Sequence, residues 1–198
     1  MASIFDTISA AAFRAGIRSR TPKSEEWFAS KVKELSIPSR SKLLKDDALE
    51  KRNKVLVGDM VMYFYDPKTK DTLPYYDKFP LTIVVGPAPG GFYGLNLHYV
   101  NPVARARLLN ELFKLAPKEL KPDSRLARLR YDMLQGVKKY KEYEPCFKRY
   151  LMPNVKSQMS RVPMTDWETA IYLPIQQFKK KSSRSVWADS RKVYQGGK

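Results

Sequence analysis

Cysteine and histidine are nearly missing from this chain: Cys146 and His98 each stand alone among 198 residues. One thiol forms no internal disulfide, and one thiol with one imidazole builds no structural zinc site. A reducing compartment is therefore the default expectation. No apolar run approaches the ~18 residues of a membrane span. The opening stretch MASIFDTISAAAFRAGIRSR lacks a basic leader before a long apolar block, so no secretory signal is expected. Its Ser, Ala and Arg content faintly suggests a transit peptide, but Asp6 and the smooth helical continuation argue against one. No phosphate-binding P-loop motif occurs. GPAPGG (86–91) has neither its lysine nor its hydroxyl residue, and prolines offer no N–H to phosphate. No unit repeats along the chain.

Acid is also scarce. Twenty Asp and Glu face 37 Lys and Arg, for a net charge of +17 and a pI near 9.9. A chain so basic meets a polyanion: DNA, RNA or, less often, an anionic membrane face. The bland alternative for any one cation is a solvated face. Hydrophobic content of 43% and 12 tyrosines supply a real core. The charge is uneven. Residues 1–54 carry 12 basic and 7 acidic side chains, residues 102–174 carry 15 and 8, and residues 175–198 carry 7 and 1. Residues 55–101 carry only Lys68, Lys70 and Lys78 against Asp59, Asp66, Asp71 and Asp77. The excess thus lies in the flanks and tail, around an electrically quiet middle.

Helical patterns open the chain. Ile4, Ile8, Ala11, Ala12 and Ala15 share one face, with Gly16 as a stop. Thr21 caps a second helix with Pro22 at its first position and Glu25 and Glu26 in its first turn. Trp27, Phe28, Val32 and Leu35 form its buried stripe. A short helix over 39–45 follows. From Val55 the period changes. VLVGDMVMYFYD has almost no polar alternation and predicts a strand covered on both faces. GPAPGG joins strands at 81–85 and 92–100 as a hairpin. Asn101 caps the next helix, with Pro102 first. The run 121–143 predicts a longer helix with Leu126, Leu129, Met133, Val137 and Tyr140 inward. The segment 161–178 reads as two extended pieces around a turn at 163–166, able to close a barrel. FKKKSSRSVWADSRKVYQGGK reads as a mobile basic tail, in which Trp187 is either an anchor or incidental.

These elements predict an α+β fold: a small antiparallel β-barrel or sheet with N-terminal helices, a following helical hairpin and a basic C-terminal tail. The divisions are 1–54, 55–178 and 179–198. Catalytic constellations do not assemble. No serine is marked as a partner for His98. The four aspartates of the middle could hold two magnesium ions, yet each has a plain role at a strand end or turn. The expectation is no enzyme, no cofactor and no metal. Tyr63, Tyr65, Tyr75 and Tyr76 crowd one turn, where packing is the plainer role and base stacking the sharper one.

At YFYDPKTKDTLPYYDKFPL and GGFYGLNLHYVNPVARARLL the chain resembles the DNA end protector proteins of T-even-like tailed phages and their cyanophage relatives. RAGIRSRTPKSEEWF, RYDML, PCFKRYL, DWETAIYLP and SVWADSR extend the resemblance over 15–191. It implies a virion protein that sits on the ends of packaged double-stranded DNA and completes the head with portal or neck proteins. It also implies entry into the host cytoplasm with the genome, whose ends it shields from exonuclease.

Blocking an exonuclease needs occupancy alone, and phosphate contacts accept any sequence. The candidate contacts are Arg125, Arg128, Lys138 and Lys139 on the long helix and Lys148 and Arg149 beside Cys146. Lys179, Lys180, Lys181, Arg184, Arg191 and Lys192 in the tail complete the set. End preference would need an aromatic ring on the last base pair or a closed ring of subunits, a homo-oligomer. The rival reading is a head-closure or neck protein whose basic surface fits an acidic portal or capsid partner. RNA binding competes poorly.

Overall fold

Three capped helices begin the chain. A computed structural model describes residues 3–18, 21–34, 39–114 and 141–195, without the side chains of 113, 114 and 194. In α1 (Ile4–Arg14) Ser3 and Asp6 cap reciprocally, and Gly16 ends the turn at φ +64°. Only glycine takes that conformation without strain. α2 (Pro22–Glu34) starts on Thr21, whose hydroxyl accepts the Ser24 N–H at 3.1 Å. α3 (Arg40–Leu44) starts on Ser39.

Six antiparallel strands follow: β1 (Lys51–Arg52), β2 (Met60–Met62), β4 (Leu81–Ala88), β5 (Gly91–Asn96), β6 (Phe147–Leu151) and β7 (Met159–Val162). Their order is β1-β7-β2-β4-β5-β6, and a separate ribbon pairs β3 (Tyr76–Asp77) with β8 (Phe178–Lys179). The sheet is open. β1 and β6 are its two edges and do not pair, so the barrel alternative is corrected to a sheet.

Both faces of the sheet are covered, as the unalternating β2 region predicts. Met60, Met62, Leu81, Ile83 and Leu95 face the helices in one core. Val61, Tyr63, Tyr65, Val84, Phe92, Tyr150 and Met159 make a second, aromatic core on the opposite face. The hairpin is tighter than GPAPGG suggests: β4 runs on to Ala88, which pairs with Gly91. A Cβ at Gly91 would collide with the Tyr150 carbonyl of β6, so glycine permits that approach.

Three further readings are corrected, and one strand is added. β5 ends at Asn96, because its side chain accepts the His98 N–H at 3.0 Å and turns Leu97–Tyr99 into a 3-10 helix. α4 (Pro102–Lys114) then starts as expected, Asn101 accepting the Ala104 N–H at 2.9 Å. The second helix of the expected hairpin lies mostly outside the described residues. Phe147–Leu151, given no element above, is the edge strand β6. The extended pieces at 161–178 are instead the end of β7 and a short helix, α5 (Trp167–Tyr172). All six of its residues are buried, so it has no polar face to reveal its period. The mobile tail is corrected to β8 and α6 (Ser183–Gln195). Val186 is buried, Trp187 Nε1–H donates to the His98 carbonyl at 2.9 Å, and Ser190 Oγ–H donates to the Tyr99 carbonyl at 2.8 Å. Trp187 is therefore an anchor on the body.

Candidate nucleic-acid interface

The segment 66–76 lines two clefts. Asp66 N–H donates to the Asn154 carbonyl at 3.0 Å, and Asn154 Nδ2–H returns a bond to the Asp66 carbonyl at 2.7 Å. At its far end Lys180 leaves β8 with φ +71°. Its ammonium donates to the carbonyls of Lys70, Asp71 and Leu73 at 2.8–2.9 Å. These bonds satisfy orphan carbonyls and fix the segment in place.

The first cleft, of about 430 Å³, is lined by Tyr65, Tyr75, Tyr76, Tyr99 and Tyr150 with Lys68, Lys148 and Arg149. Four of its tyrosines are packed on other rings. Tyr65 and Tyr150 lie edge to face at 4.9 Å, and Tyr75 lies tilted on Tyr99 at 6.0 Å. Tyr76 has no ring partner among the described residues. Lys148 pairs with Gly94 across β5 and β6. Its ammonium sits 4.2 Å from the centre of the Tyr99 ring. Among the described residues it has no carboxylate and no hydrogen bond. Burial pushes its pKa below the ordinary lysine value.

The second cleft, of about 820 Å³, is wider and more polar. Lys70, Lys78, Lys156, Lys179 and Lys180 line it, with Asp66 and Asp71, and it shares Tyr76 with the first. Lys70 is tied to Asp66 at 3.0 Å. Lysine 181 lies 5.0 Å from the Tyr75 ring and pairs with Asp189 at 2.6 Å.

The quiet middle is thus less neutral than its residue count. Asp59 is buried and accepts from Arg161 at 3.1 Å, with Arg52 at 3.5 Å. Asp77 is buried against His98, Nδ1 to Oδ2 2.6 Å, and also accepts the Phe79 and Gln177 N–H groups. Burial works to raise its carboxyl, but His98 and these bonds outweigh it and hold Asp77 below the ordinary value. Burial also holds His98 below its ordinary value against the pull of Asp77, so the pair is carboxylate and neutral imidazole at pH 7. With two of four carboxylates taken inward, the lysines of the middle dominate its surface.

Of the twelve candidate contacts, Lys148, Arg149, Lys179 and Lys180 line these clefts, with Lys181 beside them. Arg191 lies apart, with Arg107 and Trp187 in a small cavity of about 60 Å³. Arg184 and Lys192 are exposed on α6. Arg125, Arg128, Lys138 and Lys139 lie outside the described residues. Lys68, Lys70, Lys78 and Lys156, not among the twelve candidates, line the clefts as well. The readable signal was lysine alternating with turn residues inside the tyrosine cluster of 63–76.

Burial pushes the Cys146 thiol up to about 12, so it stays protonated. No group of three metal-ligating side chains occurs among the described residues. What the arrangement offers is cations around aromatic rings, which suits a polyanion with flat bases. The profile of a family described as phage T4 terminal DNA protecting protein matches residues 6–196. The chain belongs to that family. No curated protein and no solved structure matches it. The tyrosine-bearing segment and both clefts fall inside the matched span.

Proposed function

We propose that this protein occupies the termini of packaged duplex DNA in the virion and denies them to host exonuclease after injection. The observation that carries this reading is the concave, lysine-lined surface along the 66–76 segment. It gathers cations from four separated parts of the chain. Contacts to phosphate carry no sequence information, which suits a protein that must accept any packaged end. Occupancy is sufficient, because a processive nuclease needs the terminal phosphodiester exposed. Neutralising about five phosphates would give a log–log salt slope of about −4.5. Exchanging one contacting lysine for glutamine lowers that slope by about one. We also assign the protein a place in head completion, where its basic surface meets the DNA-filled head and its portal or neck proteins.

A protection assay tests the reading. Linear duplex, purified protein and a processive exonuclease are mixed at rising salt. Retention of full-length DNA, lost as salt rises, is expected. Degradation at the rate of free DNA with the protein in excess would reject it. Equal binding of nicked circles and blunt linear DNA would reject its end-directed form.

A further inference from the structure

We propose that the tyrosine cleft receives the unpaired terminal nucleotide of a DNA strand, its base against Tyr76 and its phosphate on Lys148. This rests on the reading that the protein binds DNA ends, and adds the site that tells an end from duplex interior.

Among the described residues, two groups in the cleft lack the partners their chemistry calls for: a ring for Tyr76 and an anion for Lys148. Tyr76 is a half-buried ring that stacks on no other ring among the described residues, while the other four tyrosines of the cleft are packed. Lys148 is a half-buried cation that lies against the Tyr99 ring and has no carboxylate and no hydrogen bond among those residues. A charge drawn out of water normally finds a carboxylate or a set of carbonyls, because desolvation is costly. Lys180, three carbonyls on its ammonium, shows how this fold satisfies a lysine with a structural task. Among the described residues Lys148 has nothing comparable. A phosphate would supply the missing anion, and a base attached to it would supply the missing ring.

The size agrees. About 430 Å³ lies within the range of small-ligand sites, and one nucleotide fills much of it. A base inside a duplex enters only at the cost of unpairing and unstacking; a frayed or overhanging base has already left the stack. Arg149, exposed on the same strand and held by the Pro89 carbonyl at 2.7 Å, and Lys68 on the 66–76 segment flank the mouth. They are placed to take the neighbouring phosphate.

The test uses the full-length protein and two duplexes of one sequence. One carries a single-nucleotide overhang of 5-iododeoxyuridine; the other is closed by hairpins at both ends with the same base inside. Irradiation should cross-link the overhang base to peptides containing Tyr75–Tyr76 or Tyr150, and the interior base to neither. The affinity ratio of open over closed DNA should fall about tenfold in Tyr76→Ala and in Lys148→Met. Thermal melting should show Lys148→Met at least as stable as the parent, whereas a merely structural lysine would lower it. The cross-link is read on the unaltered protein, so a variant that fails to fold leaves the test intact. Binding of both DNAs with no cross-link in these peptides overturns the inference and leaves the duplex-binding reading standing. Binding of free dAMP without any response to the overhang also overturns it. Failure to bind either DNA overturns the reading and the inference together.

Discussion

Arg105 and Lys148 are both cations drawn out of water, and they are treated in opposite ways. Arg105 is 1% exposed. Its Nε donates to the Val100 carbonyl and its Nη1 to the Ile171 carbonyl, both at 2.9 Å, and its guanidinium lies 5.7 Å from the Trp187 ring. One side chain so joins α4 to α5, to the turn before it and to α6. Burial draws its pKa down to about 10, which leaves it charged at neutral pH. Lys148 is less buried, yet among the described residues its ammonium has the face of Tyr99 and no hydrogen-bond acceptor. Burial alone does not separate a structural cation from a binding one. The acceptors around it do.

That contrast is broken most directly by truncating the structural member. Arg105→Ala removes two charge-assisted bonds and leaves two buried carbonyls bare, so a loss of about 3 kcal/mol is expected in urea unfolding. DNA-end affinity of the fraction still folded should hardly change. If Arg105→Ala melts with the parent and loses DNA instead, the two cations have been assigned the wrong way round. Next in size is the strand that carries Lys148. Gly91→Ala pushes a methyl against the Tyr150 carbonyl and should cost about 1–3 kcal/mol while parting β5 from β6. Its end affinity should fall with the pairing, unlike that of Arg105→Ala. A crystal structure of the variant showing β6 in its original register would refute the second half.

Lys180 sharpens the comparison at a smaller scale. It is a lysine of the basic surface that works as a clasp, its three carbonyls holding the 70–73 turn. Lys180→Ala should cost about 1–2 kcal/mol. Hydrogen exchange should quicken at Thr72 and Leu73, whose N–H groups bond the Thr69 carbonyl. The salt slope should fall by less than for Lys78→Gln, since the Lys180 charge is already engaged. Equal slopes would show that the clasp opens to meet phosphate.

Which parts were legible follows from the same distinction between a side chain and its surroundings. Thr21–Pro22, Asn101–Pro102 and Gly16 act within a few residues of themselves, so helix starts and a stop could be read directly. The unalternating stretch at 55–66 announced a strand buried on two faces. α5 could not be read, because a helix buried all round shows no period. The docked α6 was hidden by serines and lysines. Its hold comes from Val186, Trp187 and Ser190 meeting a turn nearly ninety positions earlier. The proposed binding surface was the least legible. Charge counted along the chain weighs Asp59 and Asp77 like any exposed carboxylate, but the fold spends both on internal partners. Lys68, Lys70, Lys78 and Lys156 then join lysines from the other end of the chain.

The shallowest effect concerns the buried Asp77–His98 pair, and the response of DNA binding to pH separates two roles for His98. Asp77 and His98 are both held below their ordinary values of 3.8 and 6.5. Asn96, the Phe79 and Gln177 N–H groups, Arg40 and Arg105 surround or act on them. A histidine whose folded pKa is depressed stabilises the fold in full above 6.5, and that contribution is lost as pH falls toward the folded value. The aspartate contribution is lost later, below 3.8. Stability should therefore fall in two steps on acidification, and His98→Gln should erase the first. DNA affinity decides the role. A histidine that touched phosphate would strengthen binding as it gained charge. A histidine that pins Asp77, and through it β3 and the floor of the cleft, keeps its Nδ1–H on that carboxylate whether neutral or charged and should leave end binding flat over the same interval while the fold holds. Anisotropy titrations of open-ended DNA between pH 7 and about pH 5 bracket the imidazole range and leave DNA phosphates ionised. Rising affinity there would move His98 from the support of the cleft into its lining.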